Sequence, residues 1–250
     1  MSSDNTLHNE HSSSSSYLSS LGKFTLFWVA TLKLGRALIE ATKRKNNMNT
    51  KTLALIIIFV ALTTALNIYG PKFPAPFAPF LYYQIWEIPI VAVFLVVGPK
   101  TGLSVAALNT LILLLVFPGA LPTGPFYNLI AELAMLIGVY AAYKIGTRRC
   151  PTEKISSYLK EHKIGLSVST TALGTTSRVI ITTFANYFLI AQQSPIGFGS
   201  FFSFAGRSGQ AAVIAFIPFS VLFNATIALY TIPLALVVAI AINSNIRIQK

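Results

Sequence analysis

Glu87, Glu132 and Arg178 lie inside long apolar runs of a chain that otherwise keeps charge out of such runs. An ionisable group at bilayer depth costs roughly 2.5–3.5 kcal/mol on insertion scales, so each marks a polar site or pathway by default. Asn128 and Glu132 are four residues apart, as are Arg178, Thr182 and Asn186, which places each set on one face of a helix. Two chemistries are open to these groups. The Arg178 guanidinium suits bidentate contact with an anionic group. It equally suits a buried ion pair with Glu132, the asparagines then acting as interhelical hydrogen-bond glue.

The elements that must hold these groups are membrane helices. The chain has 250 residues, is 54% hydrophobic and 10% charged, and has a mean hydropathy of +0.65. Soluble domains carry about 25% charged residues, so composition alone assigns an integral membrane protein. A single cysteine, Cys150, excludes an internal disulfide, and His8, His11 and His162 lie in polar segments. That distribution supports neither a metal site nor a histidine-based triad, and no cofactor is expected.

The expected fold is all-α, a polytopic membrane protein of six transmembrane helices. The segments are 52–69, stopped by Gly70-Pro71; 85–97, stopped by Gly98-Pro99; 102–117, closed by Pro118-Gly119; 126–145; 164–191; and one within 210–242. The last stretch contains Pro218 and Pro233 and exceeds what a hydrocarbon core of about 30 Å requires. Its first third is therefore expected as a loop helix or a kinked entry.

Residues 1–47 are expected as an extension, disordered around the Ser12–Ser16 run and amphipathic further on, where Lys33, Arg36 and Glu40 interrupt an apolar stretch. Met48 makes a natural start for the folded domain, 48–250. With the N-terminus in the cytoplasm, Lys43, Arg44, Lys45, Lys51, Lys100, Lys144, Arg148, Arg149, Lys154, Lys160, Lys163, Arg247 and Lys250 fall inside. Only Lys72 and Arg207 fall in outside loops, so both termini are expected in the cytoplasm. The same asymmetry accounts for the net charge of +12 without nucleic acid.

The polar residues collect in the outer half of this arrangement. Tyr83, Gln84 and Glu87 lie at the outer end of the second segment, Asn128 and Glu132 in the fourth, Arg178 and Asn186 in the fifth, and Asn224 in the outer part of the sixth. The inner half is nearly all aliphatic, which points to a pocket open to the outside rather than a channel. The outward connections 70–83 and 192–210 are both rich in aromatic residues, as interfacial anchors or as a lid over a planar ligand. Ala61 and Ala65 form a small-xxx-small pair on the first segment, a surface for close helix approach or ordinary internal packing.

These residues resemble the substrate-binding S components of energy-coupling factor (ECF) vitamin transporters, the riboflavin type above all. The resemblance spans about 48–242. It is carried by Pro79-Phe80-Leu81-Tyr82-Tyr83-Gln84-Ile85-Trp86-Glu87-Ile88-Pro89, Gly98-Pro99-Lys100-Thr101-Gly102, Gly124-Pro125-Phe126-Tyr127-Asn128, Asn186-Tyr187-Phe188, Pro218-Phe219 and Phe223-Asn224. It implies a vitamin bound from outside by Tyr83, Gln84, Glu87, Asn128, Glu132, Arg178, Asn186 and Asn224. It further implies docking through Ala61 and Ala65 onto a membrane coupling subunit that carries two cytoplasmic ATPases, in the cell membrane. No Walker-type loop occurs in the chain itself. The chain departs from the riboflavin type at Gln84, where an acid is usual, and at Ala225-Thr226-Ile227, where a lysine is usual.

Two other functions fit membrane helices with buried charge. An enzyme using Glu132 or Glu87 as general base would need convergent titratable groups with a nucleophile or metal. A stand-alone proton-coupled transporter with Glu132 as carrier would show internal repeats. Neither pattern is visible in the sequence, and a non-enzyme is expected.

Overall fold

The computed structural model describes residues 50–116, 124–148, 163–190 and 203–245. The expected extension 1–47, the start at Met48, the Pro118-Gly119 close, the connection between the fourth and fifth segments and both termini lie outside the described residues.

Helices form where the apolar runs are long, because a hydrophobic backbone satisfies its own polar groups most simply in a helix. Among the described residues these are α1 (Thr50–Tyr69), α2 (Glu87–Val96), α3 (Pro99–Val116), α4 (Gly124–Arg148), α5 (Lys163–Ala185) and α6 (Gly209–Asn245). A π-helical turn, Asn186–Ile190, extends α5. Four of them, α1, α3, α4 and α6, are long and apolar enough to cross a membrane by length and composition. The α5 helix carries Arg178 amid repeated Ser and Thr, and α2 has only 10 residues. At 1.5 Å per residue α2 is about 15 Å long, half a hydrocarbon core.

That short helix is the centre of the bundle. Ile90, Val91, Ala92 and Val93 are all fully buried, because α2 is apolar on every side and packs against α6, α3 and α1. The remaining neighbours run α1–α3, α3–α4, α4–α5 and α5–α6, with α4 and α5 in the most extensive contact. Their approach is set by Gly138, where a Cβ would stand 2.2 Å from the carbonyl oxygen of Leu173. The Ser177 hydroxyl donates across the same seam to the Ala134 carbonyl at 2.7 Å.

Three expectations need correction. The last membrane segment is not preceded by a separate loop helix: α6 runs unbroken for 37 residues through Pro218 and Pro233. Its first part is held against the bundle, with Ala212 and Val213 buried, rather than outside it. The fold is also not purely α. Residues 70–83 form a hairpin of β1 (Phe73–Ala75) and β2 (Ala78–Tyr83), antiparallel, with Phe73 opposite Tyr83 and a register shift between Pro74 and Ala75. A second hairpin pairs β3 (Ser203–Phe204) with β4 (Arg207–Ser208). Ala205 and Gly206 turn it with φ of 51° and 72°, the double positive φ that a two-residue hairpin loop needs. Lastly, α3 begins at Pro99 rather than Gly102, as suits proline in a first helical turn.

Candidate functional site

Both hairpins stand at one end of the bundle, where α1 finishes and α2 begins. Beside the first of them, and between the start of α2 and α4, α5 and α6, lies a cavity of about 370 Å³. Phe80 of β2 and Phe216 of α6 line it, 5.4 Å apart from ring centre to ring centre, and Phe204 of β3 packs on Phe216 at 5.3 Å. Phe204 also packs on Phe219 at 5.2 Å, and Phe77 on Phe219 at 6.0 Å. The two hairpins thus meet over the first part of α6 through aromatic rings.

The floor is polar. Arg178, one position beyond Ser177 on the tight α4–α5 seam, points at the start of α2. There its Nη2 donates to Glu87 Oε1 at 2.9 Å and its Nη1 to Glu87 Oε2, a bidentate ion pair. Its Nε donates to Asn224 Oδ1 at 3.1 Å, and Nη1 also reaches Met135 Sδ at 3.6 Å. Each nitrogen of the guanidinium is therefore engaged. Asn224 in turn donates to the Ser220 carbonyl at 2.9 Å, and Asn186 donates to the Ser220 hydroxyl at 2.7 Å. This network ties α2, α5 and α6 together below the cavity.

Glu132 adjoins the pair. It is 1% exposed, and its carboxyl lies within hydrogen-bonding reach of that of Glu87. Glu87 and Arg178 are its electrostatic neighbours. The buried pair that the spacing suggested between Glu132 and Arg178 is thus made by Glu87 instead, because the start of α2 enters the gap between α5 and α6.

Of the residues singled out in the sequence, Gln84, Glu87, Asn128, Arg178, Asn186 and Asn224 line the cavity together. Tyr83 is not among the lining residues: its ring lies 5.1 Å from Phe223, and its hydroxyl shares a 3.0 Å hydrogen bond with Thr226. Glu132 does not line the cavity either. Ala61 and Ala65 are exposed on the outward face of α1, next to exposed Ile58 and Leu62.

Ser220, Tyr127, Trp86 and Phe216 also line the cavity and were not singled out. Ser220 stands four residues before Asn224, so the same one-turn spacing that linked Asn128 to Glu132 could have found it. The aromatic residues had no such signal, since rings are abundant throughout the apolar segments.

No family model and no curated protein matches the sequence. Among solved structures, the chain is similar to the S component of a bacterial ECF transporter, at 24% sequence identity and a TM-score of 0.52, covering 74% of this chain and 93% of that one. The likeness is one of fold: a multi-pass helical membrane bundle.

Proposed function

We propose that this protein is the vitamin-binding S component of an ECF-type transporter, with riboflavin the foremost candidate substrate. The observation that carries the reading is the placement of the cavity. It lies at one end of a bundle with an S-component fold, lined by Phe80 of the first hairpin and Phe216 of α6 on one side and by a charged network on the other. A cavity of this size suits a small molecule, largely enclosed, with a few polar groups to orient it. The aromatic side suits stacking on a planar ring system such as an isoalloxazine. The bundle crosses the cell membrane six times, α2 being its short central element, with both termini in the cytoplasm and the cavity facing outward. The exposed Ala61–Ala65 face of α1 docks on a membrane coupling subunit that carries two ATPases.

The first test is to identify what co-purifies with the detergent-solubilised chain, by absorbance and by mass spectrometry of the denatured supernatant. A flavin at near one per chain supports the reading in full, and another vitamin replaces only the substrate. An empty protein that binds no member of a vitamin panel overturns it.

A further inference from the structure

Glu87 and Glu132 come together from α2 and α4 with their carboxyl groups within hydrogen-bonding reach of each other, both almost fully buried. Two carboxylates cannot make such a bond, because an ionised carboxyl group only accepts; one of the two must carry a proton to donate. The surroundings decide which. Both oxygens of Glu87 already accept from the guanidinium of Arg178 on α5, which favours the ionised form there. No donor among the described residues reaches either oxygen of Glu132. A buried carboxylate without donors is the form that burial penalises most. The other elements around the pair supply no second cation. Tyr230 of α6 gives its hydroxyl to the Gln84 carbonyl at 2.6 Å. Lys100, the one titratable group of α3, lies in its first turn beside the end of α2, at the far end of the bundle. On α4 itself, Tyr127 lines the cavity five positions before Glu132.

We infer that Glu132 is a positioning residue that acts as a neutral acid: it keeps a proton and donates it to Glu87, whose carboxylate is thereby held between Arg178 and Glu132. Glu87 and Arg178 line the cavity, whereas Glu132 does not. Its effect on a ligand therefore passes through Glu87. The three side chains together are one anion, one cation and one neutral acid, so the charged wall of the cavity carries no net charge. Without the proton, two anions would face one cation and the bond between the acids would be lost. The part that Glu132 plays for a ligand rests on the vitamin-binding reading; the proton itself does not.

The test is infrared difference spectroscopy of the full chain in detergent at neutral pH, unmodified against Glu132→Gln. The unmodified protein is expected to show the carbonyl stretch of a protonated carboxyl group, shifted in heavy water, and Glu132→Gln to lack it. A difference spectrum without that band overturns the inference. Riboflavin titration calorimetry and thermal unfolding then compare two variants. Glu132→Gln keeps a neutral N–H donor for Glu87 and is expected to bind within about threefold of the unmodified chain. Glu132→Leu fills similar space without a donor and is expected to bind about tenfold more weakly. Thermal midpoints without ligand follow the same order. Glu132→Gln as impaired as Glu132→Leu would mean that Glu132 acts through a negative charge, and Glu132→Leu as good as the unmodified chain would end its positioning role; either overturns the inference. Riboflavin binding to none of the three proteins overturns the riboflavin reading alone, because the infrared band and the midpoints need no ligand.

Discussion

Arg178 on α5 grips Glu87 at the start of α2 through both terminal nitrogens, across 91 positions of sequence and with both side chains almost fully buried. Three helices meet at this pair, because Asn224 of α6 takes the third nitrogen. Removing one partner leaves the other charge buried and uncompensated, which costs about 3–5 kcal/mol. Arg178→Ala is expected to lower the thermal midpoint in detergent strongly and to abolish ligand binding, since Glu87 loses its orientation. The double variant Glu87→Gln with Arg178→Met is expected to be more stable than Arg178→Ala alone. A double-mutant cycle by thermal unfolding checks this, and additive losses would show that the two residues do not stabilise each other.

The α4–α5 seam carries a second consequence. Gly138→Ala would drive a methyl group to 2.2 Å from the Leu173 carbonyl oxygen, a backbone atom that cannot swing aside. The helices must separate, at a cost of about 1–3 kcal/mol. Because Arg178 follows this contact by one turn and Glu132 precedes it, ligand affinity is expected to fall along with stability. Retention of the full melting temperature would mean that the helices are not so close.

Tyr83 separates what spacing suggested from what geometry supports. Its hydroxyl binds Thr226 rather than facing the cavity, and the Thr226 hydroxyl also lies 2.9 Å from the Leu222 carbonyl. Tyr83→Phe is expected to cost about 1 kcal/mol or less and to leave ligand affinity within about twofold. A large loss of affinity, measured by calorimetry, would return Tyr83 to the ligand.

Ala61 and Ala65 are exposed on α1 and touch no polar site of their own. Under the proposed docking role, Ala61→Trp blocks uptake in cells that carry the ATPase module and spares ligand binding by the isolated chain. Normal uptake by that variant would remove the docking face.

Much of this protein was readable from local sequence. Hydropathy and run length located each helix to within a few residues, because each apolar stretch must satisfy its own backbone. The Gly70-Pro71 and Gly98-Pro99 pairs marked real breaks, since proline cannot continue a ladder and α1 and α2 end beside them. One-turn spacing put Arg178, Thr182 and Asn186 on one face, and all three line the cavity, because helix periodicity is a local property; Asn128 lines it too, whereas Glu132, one turn on, does not. Positions along the chain also indicated that Gln84, Glu87, Asn128, Arg178, Asn186 and Asn224 gather at one end.

Only the tertiary structure decided which of two acids Arg178 holds. That choice depends on the rotation and depth of α2, and those follow from the packing of Ile90–Val93 among three other helices, which no local pattern encodes. The aromatic hairpins escaped the sequence for a related reason. The prolines of the first read as irregular loop, whereas pairing of Phe73 with Tyr83 and of Phe204 with Arg207 depends on partners further along the chain and on rings of α6 beneath them. Spacing along the chain determined what could share a helix face, and packing between helices determined what could share a charge.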